Sequence, residues 1–241
     1  MSAGVFSRRE SFYSWKEARV LRVIGLTGGI ACGKSHVSDT LRPLGAVIID
    51  VDVLSRELTQ PGGEALPAIR EAFGDGVFHP DGTLDRRALG AVVFGDDGKR
   101  AALDSIMQPM LRKLILRRIG EARHSGAALC VLDMPLLYEA GLDALCQRVW
   151  CVYIPRETQL ERLMARDGFT REEAEARLRS QLPALEKARR AQVVIDTSGS
   201  IGYTKAMIPP LYAQELGLSD APDEGGPHGE SPDAHPAPPA R

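Results

Sequence analysis

Eight residues near the start of the chain have the types and the spacing of a loop that binds phosphate. Residues 28–35 read GGIACGKS and fit the pattern GxxxxGK[ST]. Glycines let such a loop curl so that successive backbone N–H groups point at phosphate oxygens, while Lys34 can reach the β- and γ-phosphates and the Ser35 hydroxyl can bind Mg²⁺. The predicted phosphate site comprises Gly28, Gly29, Ile30, Ala31, Cys32, Gly33, Lys34 and Ser35.

The residues on either side of this loop support the same interpretation. An apolar strand pattern over residues 21–26 precedes the loop, and a helical pattern over residues 34–41 follows it. The N-terminus of that helix then faces the phosphates, which it attracts. A chance glycine-rich turn would not require this order of strand, loop and helix, and we therefore favour the phosphate loop.

An acidic pair, Asp50 and Asp52, ends the second strand pattern at residues 46–49. If the chain is still extended there, both side chains point to one side. Ligands of open α/β sheets bind beyond the carboxyl ends of the strands, so the pair is expected near the loop. One carboxylate could then accept a proton from an attacking hydroxyl and the other could order Mg²⁺ through water. A pair of ordinary strand-end or N-cap aspartates fits the positions equally well.

Three further residues have the chemistry of phosphoryl transfer. Asp133 ends a buried strand pattern, as in a Walker B element, and could hold the water shell of Mg²⁺. Arg162 and Arg166 are four residues apart and share one face of a predicted helix. Guanidinium donors match phosphate oxygens, so the two arginines could close over the triphosphate together.

Cys32 lies in the loop, beside the N-terminus of a predicted helix, where a thiolate would be favoured. A small residue that merely fits the loop is the alternative, and we favour it. Cys130 and Cys151 lie in apolar runs and are predicted core residues. No C-x-x-C motif or Cys/His metal spacing is present, which indicates a reducing compartment and predicts a cytoplasmic protein.

The elements that must position these residues form an α/β pattern. Five apolar runs have the length of strands: residues 21–26, 46–49, 127–132, 149–154 and 193–195. Helical patterns separate them, which predicts a five-stranded parallel sheet with helices on both faces. Residues 53–125 are too many for one crossover and predict a helical insertion that could hold a second substrate. Residues 156–192 are helical and arginine-rich; a solvated face is the common meaning, but between two core strands we favour a mobile lid.

Length and composition exclude several classes of protein. The 241 residues allow one α/β core with insertions, and a hydrophobic content of 44% is enough to build it. A formal net charge of −2 gives no global field toward nucleic acid or membrane, and no apolar run has the length of a membrane span. Residues 1–19 are predicted to be a flexible extension and residues 219–241 a disordered tail.

Nine segments in order resemble the dephospho-coenzyme A kinase family over roughly residues 22–216. They are GLTGGIACGKS, IIDVDVLSREL, PGG, AFGDGVF, DGTLDRRAL, MPLLYEAG, PRETQLERLMARDG, RSQLPALEKARRA and VIDTSG. The resemblance implies a three-layer phosphate-loop fold with a helical substrate insertion and a lid. It implies ATP-dependent phosphorylation of the 3′-hydroxyl of the dephospho-coenzyme A ribose, with Mg²⁺ as the metal. For the oligomeric state we favour a monomer.

The resemblance also implies roles for individual residues. The loop would bind ATP and Mg²⁺, Asp52 would be the base with Asp50 beside it, and Arg162 would contact the ATP phosphates with Arg166 as a second candidate. The acceptor domain would place Asp81, Arg86, Arg87 and Gln108 near its substrate. Three positions depart from the family pattern: His36 replaces a usual threonine, Gln108 a usual histidine and Gln192 a usual aspartate.

Two other functions remain to be weighed. A phosphate-loop kinase acting on a nucleoside or nucleotide would share the core, and only the insertion and the aspartate pair argue against it. A regulatory GTPase needs a guanine-reading N-K-x-D element, and no such tetrapeptide occurs in the chain.

Overall fold

A computed structural model describes residues 20–218 of the chain. The extension predicted for residues 1–19 and the tail predicted for residues 219–241 lie outside the described residues. No helix in the described part is long and apolar enough to cross a membrane.

The core is a five-stranded sheet in which all neighbouring strands are parallel. The strands are β1 (Arg22–Gly28), β2 (Val47–Asp50), β3 (Leu129–Asp133), β4 (Arg148–Tyr153) and β5 (Val193–Asp196). Their order across the sheet is β2-β3-β1-β4-β5, so the strand that precedes the phosphate loop is central. The central strands read as nearly continuous apolar runs because helices cover both of their faces. This confirms the predicted α/β phosphate-loop fold.

Nine α-helices surround the sheet within the described residues. They are α1 (Lys34–Leu41), α2 (Val51–Thr59), α3 (Leu66–Phe73), α4 (Arg86–Val93), α5 (Asp97–His124), α6 (Arg156–Asp167), α7 (Arg171–Arg179), α8 (Ala184–Arg190) and α9 (Ile201–Glu215). Helices α1 and α9 pack together on one face, where Ile24, Leu26 and Trp150 are fully buried. Helices α2 to α5 form the insertion on the other face, over Val23, Cys130 and Leu132.

Local sequence explains where the insertion helices begin. Asp50 caps α2, Asp85 caps α4 and Asp96 caps α5, each by accepting a backbone N–H of the first turn. The 28-residue α5 carries Pro109 in its interior. Because α5 runs the length of the insertion and packs on α2, α3 and α4, it joins the other three helices into one body.

The region predicted as a lid consists of three helices, α6, α7 and α8, between β4 and β5. These helices differ in how firmly they are held. Only Ala174 is buried in α7, whereas Ala184, Lys187 and Ala188 are buried in α8, which packs against β4 and β1. The outer helix α7 is therefore the least anchored of the three.

Candidate active site

The phosphate loop is held by hydrogen bonds from outside it. Gly33 has a φ of 79° and caps α1, a left-handed conformation that glycine adopts without strain. Gln159 of α6 donates from Nε2 to the Ile30 carbonyl at 2.9 Å, and Thr197 donates from Oγ1 to the Cys32 carbonyl at 2.6 Å. These bonds fix two loop carbonyls to the elements around them, as a loop that presents N–H groups to an anion requires.

The lysine of the loop is already oriented by an acid. Lys34 Nζ forms an ion pair with Asp133 Oδ1, and Ser38 Oγ donates to Asp133 Oδ2 at 2.5 Å. Asp133 lies at the end of β3 and is only 5% exposed. The three residues therefore join the start of α1 to the carboxyl end of the neighbouring strand, where the sequence predicted Asp133 to lie.

The acidic pair adopts a different local geometry from the one predicted. Asp50 is the last residue of β2, but helix α2 begins at Val51, so the two aspartates do not share one extended segment and the condition for the same-side arrangement is not met. The alternative, an N-cap aspartate, holds for Asp50. Asp50 instead caps α2 by accepting the Val53 N–H at 3.0 Å, because an Asp side chain satisfies a free N–H of the first turn. Asp50 remains at the active edge, directly opposite Asp133 in the β2–β3 register.

The carboxyl of Asp52 is electrostatically coupled to this group. Its residue surface is exposed, but protein atoms around the carboxyl remove part of its water, and this desolvation is the main reason that its pKa is raised above the ordinary 3.8. The negative charges of Asp50 and Asp133 raise the pKa further, whereas Lys34 and Arg56 oppose the shift. The structure thus brings both aspartates of the pair, Lys34 and Asp133 into one site.

Cys32 does not have the thiolate character that its helix N-terminus suggested. The residue is 1% exposed, and burial raises the pKa of its thiol; hydrogen bonds from Ile154, Gly29 and Gln159 and the charge of Arg162 oppose that shift without cancelling it. Burial outweighs the helix terminus, so the thiolate expectation is wrong and the favoured one, a small residue that fits the loop, agrees with the structure. Cys130 and Cys151 are fully buried, as predicted.

A cavity of about 800 Å³ opens above the phosphate loop. Both predicted arginines line it, together with the loop, Thr197 and the start of α9. Arg162 donates from Nη2 to the Thr197 carbonyl at 2.9 Å, while Arg166 pairs with Asp167 through two hydrogen bonds of 2.8 Å. The size and the cationic lining suit a nucleoside triphosphate.

A second cavity of about 460 Å³ lies between the insertion and the segment after β3. Arg86 and Gln108, two of the four residues predicted near the substrate, line it, and its walls are mostly apolar. Asp81 and Arg87 do not line it. The Asp81 carboxylate instead accepts two hydrogen bonds from Thr83, the main reason that its pKa lies below the ordinary value, so Asp81 shapes a turn.

The residues present fit a Mg²⁺ ion that arrives with a nucleotide. In residues 20–218 no group of three or more His, Cys, Asp or Glu side chains could hold a metal by itself. Mg²⁺ at phosphates is usually bound by one or two protein oxygens, with water and phosphate oxygens completing the shell. The exposed Ser35 at the start of α1 and the carboxylate of Asp133 supply such oxygens.

Comparison with known proteins agrees with this arrangement. The family model described as dephospho-CoA kinase matches residues 22–202. The chain belongs to the dephospho-CoA kinase family. A dephospho-CoA kinase of Geobacter sulfurreducens is 48% identical over 196 residues, which are 81% of this chain and 100% of that protein.

Solved structures show the same likeness. The Thermus thermophilus protein TT1252 superposes with a TM-score of 0.69 at 34% identity and covers 80% of this chain and 97% of its own. A dephospho-CoA kinase from Campylobacter jejuni gives a TM-score of 0.58 at 25% identity, with 81% and 97% covered.

The three departures from the family pattern lie in different places. His36 lines the nucleotide cavity and Gln108 lines the second cavity. Gln192 is at the opposite edge of the sheet, where its Oε1 accepts the Val149 N–H at 2.7 Å at the start of β4. Gln192 therefore acts in strand pairing, away from both cavities.

Sequence reasoning missed several residues of the site. Ser38 lies one helical turn after Lys34, and that spacing could have identified it. Thr197 follows the last strand, so the rule that ligands bind at the carboxyl ends of strands also pointed to it. Gln159 gave no such signal, because it lies in a charged helix whose sequence is typical of a solvated face.

Proposed function

We propose that this protein transfers the γ-phosphoryl group of ATP to the 3′-hydroxyl of the dephospho-CoA ribose, giving CoA and ADP in the last step of CoA biosynthesis. Membership of the dephospho-CoA kinase family supports this reaction. The observation that carries it is the cluster of Asp52, Lys34 and Asp133 at the carboxyl edge of the sheet, together with one cavity above the loop and another against the insertion.

Asp52 is the proposed base for the attacking hydroxyl. A general base works best when its pKa is close to the working pH, and the raised pKa of Asp52 moves it in that direction. Asp50 has a different task, because its carboxylate is engaged at the N-cap of α2. We assign it to holding the helix that carries Asp52 and to raising the pKa of that carboxyl.

The cations are proposed to stabilise the charge on the transferring group. The Lys34 ammonium pairs with Asp133 beside the loop. The β- and γ-phosphates would compete with that carboxylate for the Lys34 ammonium. Arg162 is held by Thr197 and would place guanidinium donors on the equatorial oxygens, with Arg166 next to it. Mg²⁺, when bound by Ser35 and through water by Asp133, would neutralise charge on the phosphates.

The second cavity is the proposed acceptor site. Leu84, Leu89, Met107 and Leu111 give it apolar walls that suit a long, uncharged arm such as that of dephospho-CoA. Arg86 at its margin would face the phosphates of the acceptor, and Gln108 would offer an amide that donates and accepts hydrogen bonds.

Helices α6 and α7 are the proposed lid. The outer helix α7 packs on α6 through a small apolar cluster that includes Ala174, Leu160 and Leu163. Its ion pairs, among them Arg171 with Glu157 at 2.8 Å, are exposed, and such pairs are weak. Closure over ATP would bring Arg162 and Arg166 onto the phosphates and exclude water that would otherwise hydrolyse ATP.

An acceptor panel tests the proposed reaction. We expect ADP release with ATP, Mg²⁺ and dephospho-CoA to exceed that with adenosine or nucleoside monophosphates by several orders of magnitude in kcat/KM. Faster turnover of a nucleoside or nucleotide would replace the proposal with a nucleotide kinase.

We further propose that the protein is a monomer and that it acts in the cytoplasm. All four cysteines are free, as a reducing compartment would keep them.

A further inference from the structure

Lys187 is a lysine with no exposed surface. It lies on α8, and its side chain is 0% exposed. Its Nζ donates to the Pro135 carbonyl at 2.6 Å and forms an ion pair with Glu139 Oε1 at 2.8 Å. Lysine is almost never fully buried unless it is paired, so both contacts are needed to keep this one in place.

The two partners of Lys187 belong to the wall between the two cavities. Pro135 lines the nucleotide cavity, whereas Leu136, Glu139 and Ala140 line the second cavity. Residues 135–140, the partition segment, thus separate the proposed donor site from the proposed acceptor site. Lys187 contacts this segment at both of its sides.

Two further hydrogen bonds tie the partition segment to the strand before the phosphate loop and to the end of the region predicted as a lid. Thr27, at the end of β1, donates from Oγ1 to the Pro135 carbonyl at 2.9 Å. Glu139 Oε1 also accepts the N–H of Leu182, the residue that leads from α7 into α8, at 2.9 Å. The C-terminal end of the lid region is therefore bonded to a carboxylate that faces the acceptor cavity.

An ion pair with one fully buried member is a poor source of stability. Lys187 loses all of its contact with water, whereas the Glu139 side chain stays 23% exposed. In many proteins the cost of removing a charge from water exceeds the attraction that the pair returns, and apolar replacements often keep the fold. Ala184 and Ala188 already pack α8 onto the core without any charge. The pair is better explained by the orientation that it imposes on Glu139 and Pro135.

We propose that Lys187 is a positioning residue that fixes the partition segment, and with it Glu139, between the donor and acceptor sites. It contacts neither substrate and acts through Glu139 and the Pro135 carbonyl. Binding in one cavity is thereby coupled to binding in the other, because both cavities share a wall that Lys187 holds to α8. This inference rests on the proposed function for the identity of the acceptor.

Lys187→Met, which keeps the unbranched shape and most of the length of the side chain but removes its charge, is the first test. The measurements are KM for each substrate, kcat, melting temperature, and the affinity for dephospho-CoA with and without a non-hydrolysable ATP analogue. We expect the acceptor KM to rise roughly tenfold or more, the enhancement of acceptor affinity by the analogue to disappear, and KM for ATP to change little.

A double variant, Lys187→Met with Glu139→Gln, separates positioning from stability. It leaves no uncompensated charge, so the melting temperature should recover relative to Lys187→Met while the coupling stays lost. Glu139→Gln alone provides the reference for any direct contact of Glu139 with the acceptor. Should Lys187→Met fail to fold, the double variant is measured against Glu139→Gln, and equal acceptor affinity and equal coupling in those two proteins would overturn the proposal.

A matched control is Glu215→Gln, at another buried charge. Glu215 accepts a hydrogen bond from Trp150 Nε1 at 3.3 Å and pairs with Arg22, and it lines neither cavity. This variant should lower the melting temperature and leave the acceptor KM unchanged. If Lys187→Met behaves in the same way, its role is structural only and the proposal fails.

The wild-type protein distinguishes this failure from failure of the proposed function. If wild-type turnover with dephospho-CoA is absent, the proposed reaction is wrong, and coupling is measured with the best acceptor of the panel instead. Normal wild-type turnover with unchanged coupling in Lys187→Met overturns the role of Lys187 alone.

Discussion

Lys34 of the phosphate loop forms an ion pair with Asp133 at the end of the neighbouring strand. The pair joins the two elements that must contact the nucleotide, because Lys34 begins α1 and Asp133 closes β3. Ser38 completes the group by donating to the second oxygen of Asp133. The lysine is therefore aimed by a fixed, almost fully buried carboxylate, and phosphate oxygens would compete with that carboxylate for its ammonium.

Lys34→Ala should lower kcat strongly. Loss of a cation that stabilises transition-state charge typically costs about 100- to 1000-fold in kcat. Steady-state kinetics measure the effect on kcat, and a melting curve measures any effect on stability. The matched control is Lys205→Ala, at an exposed lysine of α9. Near-normal kcat in Lys34→Ala with an unchanged melting curve would exclude the assignment of the loop.

The pH dependence of kcat/KM should report Asp52. Its pKa is raised, so protonation of the base at low pH removes activity at a higher pH than for an ordinary aspartate of pKa 3.8. Asp50→Asn removes a negative neighbour, which lowers the pKa of Asp52 and moves the acidic limb to lower pH. Asparagine still caps α2, so the helix should stay intact.

Circular dichroism over the same pH range checks that unfolding does not cause the limb. An acidic limb that stays at the same pH in Asp50→Asn would show that Asp52 is not the titrating base.

Arg162→Ala should reduce kcat/KM for ATP more than Arg166→Ala does. Arg162 is held by the Thr197 carbonyl, whereas Arg166 is exposed and its charge is already offset by Asp167. Loss of the bond to Thr197 should also cost about 1 kcal/mol of unfolding free energy, so Arg162 is not the stability-neutral position that a free lid arginine would be. Kinetics and urea unfolding of both variants measure this, and a larger kinetic effect at Arg166 would reverse their roles.

Hydrogen exchange tests the lid. Amides of α7 should exchange quickly in the free protein and be protected when the ATP analogue and dephospho-CoA are both bound, because α7 buries only Ala174. Amides of α8 are the internal control and should be protected in both states, since α8 packs on the sheet. Equal protection of α7 with and without ligands would show that it is a rigid part of the fold.

Much of the fold could be predicted from sequence, because each strand is an apolar run bounded by turn residues and the phosphate loop marks the central one. The position of Asp133 followed from the same rule, since it ends such a run. The geometry of Asp50 and Asp52 did not, because a capping aspartate and a strand-end aspartate have the same local sequence. Cys32 shows a further limit: its burial depends on Gln159 and Thr197, which are far away along the chain.

The buried state of Lys187 could not be predicted for a related reason. Its neighbours in sequence, Glu186, Arg189 and Arg190, describe a charged and solvated helix. Lys187 can be buried because its ammonium pairs with Glu139, which lies 48 residues earlier in the chain.

The central claim is that Asp52 is the base that accepts the proton of the dephospho-CoA 3′-hydroxyl as this hydroxyl attacks ATP bound at the loop. Single-turnover phosphoryl transfer by wild type and Asp52→Asn, with the product position assigned by phosphorus NMR, tests it most directly. The account predicts CoA phosphorylated at the ribose 3′-oxygen, and a rate in Asp52→Asn that is lower by about 100- to 10,000-fold while ATP affinity is nearly unchanged. Phosphate on another hydroxyl, or transfer by Asp52→Asn at the wild-type rate, would contradict it.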